Sequence, residues 1–314
     1  FFHSLSLLNI YYKRKVICIL IHFLKGEMLM SRTFPFEAQP LAFAPTALEP
    51  GLCAEVTREH YINHYMRYID GLNQTLSPYP AYQSWSLAKL CAFSQALPQS
   101  IRQNIANNAG GCFNHELYWH NMRSSACDTA APTGALGQMI DQCFGDYQTM
   151  QNDFTQAALN LTGSGWAWLI CDNRSGKLAI QLSANQATPI NGRTTPILAL
   201  DLWEHAYYDQ YQSNKADYID AWWQLIDWES VSDLWQEATN PTAEESTYTL
   251  AQKLKPQTSP TPYGCKSSVE ATPAGESYYM HKHLNTFSNP CGGKSHSSNN
   301  YYSAKSRARR RKKR

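Results

Sequence analysis

Three short β-rich runs, GWAWLIC (165–171), KLAIQLSAN (177–185) and PILALDLW (196–203), follow one long stretch of helical periodicity and precede another. That order constrains the fold more than any other feature. Strands that come in one block, separate from the helices, read as an α+β architecture. Turn residues such as Asp172-Asn173 and Asn191-Gly192 bound the runs, as short strands require.

The helical stretches divide at their breakers. Residues 32–50 are irregular and punctuated by Pro35, Pro40, Pro45 and Pro50. A helix is expected from about residue 53, with Gly71 and Asn73 marking its end. SWSLAKLCAFSQALP and QSIRQNIANNAGGCFNHELYWHNM read as two more helices, parted at Pro98. The small, polar run SSACDTAAPTGAL is a linker. Helical periodicity resumes through residues 136–161 and again through 217–238. The chain thus reads as a helical domain over 32–125 and a mixed domain over 126–239. Beyond 240, Ser, Thr, Pro, Asn and Gly dominate, and such a segment buries too little apolar surface to order itself.

At 314 residues and 43% hydrophobic content, the chain is long enough for two domains with a sizeable core. Its formal charge of +2 is uneven. The last ten residues, KSRARRRKKR, hold eight Lys or Arg, so the remainder, at two minus eight, is six charges negative. Such a basic run, residues 305–314, can neutralise several phosphates with salt-dependent, sequence-independent affinity, or it is simply a solvated end. Nine Cys are scattered with no CxxC pair, which gives zinc-ribbon and thioredoxin readings no support. They read as free buried thiols in a reducing, cytoplasmic compartment. The apolar run Val16–Leu24 is far short of the roughly 20 residues that span a bilayer. Residues 1–31 read as an upstream or targeting segment, with Met28 or Met30 as the start; a real signal there would make the protein exported or periplasmic.

The chemistry concentrates in DLWEHAYY, residues 201–208. Asp201 and His205 are ligand types set among the rings of Trp203, Tyr207 and Tyr208, with Glu204 between them. A dry, aromatic-lined metal site looks like this. More donors come from EHYINHYMRY, where His60, His64 and Tyr68 recur every four residues on one helical face. His115 follows in NNAGGCFNHELYWHNM, beside Tyr118 and Trp119. Imidazoles with one carboxylate, in aromatic surroundings, suit a redox-active manganese or iron ion. Taken singly, each His is more often a packed core residue than a ligand.

DLWEHAYY resembles the signature of the iron/manganese superoxide dismutases, D-x-[WF]-E-H-[STA]-[FY]-[FY]. FEAQPLAFAPTALEP resembles the strand-like leader of that family, HYINHYMRY its first ligand motif, NNAGGCFNHELYW its second and GSGWAWL its strand opening. The likeness spans roughly residues 34–238. It implies an N-terminal α-hairpin domain and a C-terminal α/β domain with a small three-stranded antiparallel sheet. It also implies one manganese or iron ion per subunit, held by His60, His115, Asp201 and His205. Superoxide would disproportionate there to dioxygen and hydrogen peroxide.

Carried over by position, His64 and Tyr68 flank the substrate funnel, and Trp119, Trp166 and Trp203 line the cavity. Glu204 reaches across a homodimer interface to the partner's ligand, and Tyr208 joins His64 across it. Iron-type sequences place a Gln four residues before the second-motif His, where this chain has Gly111. Manganese-type sequences supply Gln after the second strand, where it has Gln186. The manganese pattern is therefore expected, with iron as the alternative. Two positions depart from the family: Tyr65 follows His64 where a His pair is common, and Gln212 stands where Arg or Lys usually draws the anion in. Two other readings stay open: a metal-binding homologue of weak turnover, and an enzyme tethered to nucleic acid by its basic tail.

Overall fold

The computed structural model describes residues 32–125 and 131–239. The segment read as upstream or targeting, the tail after 239 and its basic run all lie outside the described residues.

The first helical rod is α1 (Ala54–Glu59), a π-helical segment (His60–Tyr65) and α2 (Met66–Leu76) in continuous succession. Ile69, Leu72 and Leu76 form its buried stripe. The rod runs through Gly71 and Asn73 instead of stopping there. Both residues serve packing: a Cβ on Gly71 would come within 2.9 Å of the Asn108 side chain. Asn73 pairs with the leader, accepting from Phe36 N at 2.8 Å and donating to Phe36 O at 2.7 Å. The leader itself is irregular, with a short 3₁₀ turn at Pro45–Leu48 and no strand. Helix α3 (Leu87–Ala92) begins at Ser86, whose Oγ accepts from Lys89 N at 3.2 Å. Helix α4 (Gln99–His120) starts after Pro98 and packs along α2 as a helical hairpin.

The second half opens with α5 (Gly134–Phe144) and α6 (Tyr147–Asn160). The periodicity of 136–161 suggests one helix, but Gly145 at φ 92° breaks it, and Asp146 caps α6 by accepting from Thr149 N at 2.6 Å. Strands β1 (Gly165–Asp172), β2 (Leu178–Ala184) and β3 (Thr194–Asp201) form an antiparallel sheet in the order β2-β1-β3. The central strand is buried along nearly its whole length, which is why it reads as an unbroken apolar run. Register pairs Trp166 with Asp201. That places an aromatic ring beside a carboxylate at one end of the sheet.

A bulge interrupts the β1–β3 register at Leu169/Ile170 and leaves Ile197 without a cross-strand partner. The fully buried Asn121, just past α4, repairs it. Its amide donates to Ile197 O at 3.0 Å and accepts from Ala199 N at 3.1 Å. One side chain of the first half is thereby stitched into the sheet of the second. After the short α7 (Tyr208–Tyr211) come α8 (Lys215–Trp223) and α9 (Trp228–Thr239). These last two read as one helix by period; the break falls where Ile226 forms an isolated bridge with Met122.

Cys91, Cys112, Cys143 and Cys171 are free thiols. The free-thiol reading fails at Cys53, which is disulfide-bonded. Cysteine spacing cannot reveal such a pairing, because the two sulfurs meet only through the fold. No helix among the described residues is long and apolar enough to cross a membrane.

Candidate metal centre

Four elements converge on one point. The π-helical segment brings His60, α4 brings His115, the last residue of β3 is Asp201, and the turn after it carries His205. Their donor atoms all lie within 4.8 Å of one another. Asp201 Oδ2 sits 3.1 Å from His60 Nε2, 3.2 Å from His205 Nε2 and 3.7 Å from His115 Nε2. Its other oxygen accepts from Trp203 N at 2.8 Å, and Tyr218 Oη donates to the Asp201 carbonyl at 2.9 Å. Both ends of the residue are thus fixed.

The tautomer of His115 follows from its neighbours. Its Nδ1 lies 2.7 Å from the Gly111 carbonyl and must donate to it. Nε2 is then a bare lone pair, fully buried and without a hydrogen-bond partner. A native structure does not leave such an atom idle. Surrounded by two further Nε2 atoms and a carboxylate oxygen, it fits a bound cation. The electrostatics agree. Burial pushes His60 down to about 4 and His115 well below the usual imidazole range, so both are neutral ligands at pH 7. Burial opposes the Asp201 charge, yet His205 and His60 beside it hold the carboxyl far below its ordinary value.

The four-residue spacing of His60, His64 and Tyr68 does not make one α-helical face, because the wider π turn intervenes. His64 leaves the donor cluster and stacks on His205, with ring centroids 3.9 Å apart and planes 16° from parallel. Burial, with His205 and His60 nearby, pushes it down to about 3.

Gln186, from the turn after β2, is held in one orientation. Its Oε1 accepts from Trp166 Nε1 and from Asn114 Nδ2, each at 3.1 Å. Its amide nitrogen therefore donates to Tyr68 Oη at 3.0 Å. The Tyr68 oxygen is occupied as an acceptor, which leaves its own proton free to be given elsewhere. Burial and Asp201 push Tyr68 up to about 12, so it keeps that proton at neutral pH.

Two glycines make room for this arrangement. A Cβ on Gly110 would lie 2.1 Å from Gln186 O, and one on Gly111 2.3 Å from the Tyr68 ring. On an open helix Gly→Ala stabilises by roughly 0.5–1 kcal/mol. Gly110→Ala is expected to reverse that sign, costing about 1–3 kcal/mol as the Gln186 turn is pushed off α4. The thermal unfolding midpoint checks it; a raised midpoint would mean the turn does not rest on this helix.

Comparison with known proteins agrees with this geometry. The family model for the alpha-hairpin domain of iron/manganese superoxide dismutases matches residues 35–123, and that for their C-terminal domain matches 132–234. A Leptolyngbya boryana protein named superoxide dismutase (Mn) 1 is 40% identical over 206 residues, 65% of this chain and 82% of that one. A Thermus aquaticus protein named superoxide dismutase (Mn) is 37% identical over 205 residues, 65% of this chain and 99% of its own length. The chain belongs to the iron/manganese superoxide dismutases.

Around the donor cluster of this dismutase the rings close in. Trp119 lies 4.8 Å from His60, Trp166 5.2 Å from His115 and Trp203 5.6 Å from His205, centroid to centroid. Glu204 is exposed on the protomer, as is Tyr208 at 43%. Gln212 is also exposed, at φ 53°, a conformation that favours glycine.

The sequence reading does not single out Asn114, Gly110, Tyr218 or Glu116. The glycine pair inside a helical pattern is the one available signal, since its propensity cost asks for a packing reason.

Proposed function

We propose that this dismutase works with one manganese ion per chain, held by His60, His115, Asp201 and His205. Two superoxide anions and two protons give dioxygen and hydrogen peroxide, and the ion supplies the one-electron exchange in both halves. The unpartnered, buried Nε2 of His115 carries the ligand assignment.

The remaining work belongs to protein groups. Tyr68 holds a proton at the edge of the cluster, and Gln186, by donating to the Tyr68 oxygen, sets the direction in which that proton points. Trp119, Trp166 and Trp203 exclude water, which keeps the dielectric low and strengthens each charge interaction. The choice of manganese rests on which side chain supplies the amide. Gln186 provides it from the turn after β2, and Gly111 provides none. Reconstituting metal-free protein separately with each ion tests this. Activity per bound metal is expected to be high with manganese; high activity with iron and almost none with manganese would overturn the assignment.

The working unit of this reading is a homodimer. Glu204 and Tyr208 are exposed beside a ligand whose own side chain keeps 12% of its surface open. A second copy on this face brings Glu204 to the partner's ligand and Tyr208 to its funnel. Glu204→Ala is then expected to lower dimer stability and activity in parallel, read by sedimentation and rate on the same samples. A fully active monomer at micromolar concentration would refute it. A cytoplasmic location goes with the four free thiols, whereas the disulfide at Cys53 favours the exported alternative. Fractionation of the native protein decides between them.

A further inference from the structure

Next to His115, three charged or polar side chains meet. Glu116 follows His115 on α4, and its side chain is 1% exposed. Its Oε1 accepts from Tyr65 Oη at 2.8 Å and also from Arg32 Nη2. Tyr65 is fully buried, and its oxygen accepts in turn from Gln39 N at 2.7 Å. Arg32 Nη1 donates to Glu37 O at 2.5 Å. The Tyr65 ring lies 26° from parallel to His115, with centroids 6.3 Å apart.

Such a cluster is costly. Burial pushes the Glu116 carboxyl up, while Arg32 and Tyr65 pull it back. Glu116 Oε2 and Arg32 Nε are buried without a hydrogen-bond partner. A buried pair of this kind rarely adds net stability, and a same-sized apolar pair often does as well or better. What the cluster does supply is geometry. Tyr65 ends the π-helical segment that begins with His60, Glu116 adjoins His115, and Arg32 belongs to the leader. Two ligand-bearing helices and a strap are fastened at one carboxylate oxygen.

We infer that Arg32, Glu116 and Tyr65 form a clamp that holds the His60 and His115 helices at ligand spacing, and that this clamp governs how fast the metal leaves. Tyr65 and Glu116 are positioning residues in this scheme; neither touches the ion. Tyr65 backs the His115 ring, and Glu116 fixes Tyr65. The inference rests on the ligand assignment above.

The experiment follows metal release from loaded, full-length protein into excess chelator, with unfolding midpoints measured on the same samples. Tyr65→Phe keeps the ring and removes the hydroxyl. Glu116→Gln removes the charge. Each is expected to speed release by roughly tenfold, the lower end of what loss of an outer support costs. The two together are expected to be no faster than either alone, because they break one linkage. The paired Arg32→Met and Glu116→Met variant is expected to keep the unfolding midpoint near wild type yet release metal fast. That arm remains decisive if a single variant misfolds. Leu234→Ala, a buried position on α9 outside the cluster, serves as the control for simple destabilisation.

Release at the wild-type rate in all clamp variants overturns the inference. So does release that tracks the unfolding midpoint alone, with Leu234→Ala as fast as the others. A wild-type protein that retains no metal overturns the ligand assignment itself, and the clamp with it.

Discussion

His115→Ala is expected to leave the protein without its metal and without activity. The substitution removes one of the four clustered donors and the side-chain hydrogen bond to the Gly111 carbonyl, which lies 2.7 Å from Nδ1. That carbonyl keeps the helical bond from the backbone N–H of residue 115, so losing the side-chain bond costs only about 0.5–1.5 kcal/mol. The fold should survive that, because His60 and His205 still reach Asp201. The ion should not be retained, since three donors in a cavity shaped for four leave an unfilled side. Asp201→Ala is expected to be harsher still. It removes the one negative ligand, takes the acceptor from Trp203 N and leaves the imidazoles facing one another with nothing between them. Metal content by mass analysis, with activity on the same preparation, reads both. Full occupancy in either variant would show that the ion sits elsewhere.

Metal-free protein is expected to lose stability steeply as the pH falls from about 6.5 to about 4, the ordinary and folded values for His60. The folded value lies below the unfolded one. The unfolded chain therefore binds the proton first, and acid draws the equilibrium towards it. His60 alone accounts for about 2 kcal/mol between pH 7 and pH 5. His115, lowered further by burial and by His60, adds in the same direction. Asp201 extends the loss below the ordinary carboxylate value of 3.8, because its folded value is also depressed and its charge is needed in the fold. Urea midpoints at pH 7 and pH 5 test this. Equal midpoints would mean that the imidazoles are not buried neutral. Loaded protein should resist until protons displace the metal, so the two curves should separate most between these pH values.

Much of this was legible in the residues, and the reason is local. Ligand types stand at fixed offsets within DLWEHAYY and on two helices, and the turn residues that bound each strand are contiguous in sequence. What escaped depends on partners far away in the chain. Gly71 and Asn73 carry stop signals, but Asn108 and Phe36 turn them into packing devices. The π-helical turn at His60–Tyr65 has no sequence signature, because its extra residue is absorbed by neighbours and not by propensity. The breaks at Gly145 and at residues 224–227 hide in an unbroken 3.6-residue period. The oxidised state of Cys53 has no local signal in the residues around it.

The stitch between Asn121 and the β3 bulge has a consequence for assembly of the centre. His60 and His115 belong to the first half, Asp201 and His205 to the second, so the carboxylate of the set comes from the second half. While the ribosome is still making the sheet, the nascent chain offers two neutral imidazoles and no anionic ligand, a poor chelate for a hard cation. The full donor set comes together only when β3 docks against the first half and Asn121 takes its place in the ladder. The cluster is thereby a property of the joined halves and of neither half alone.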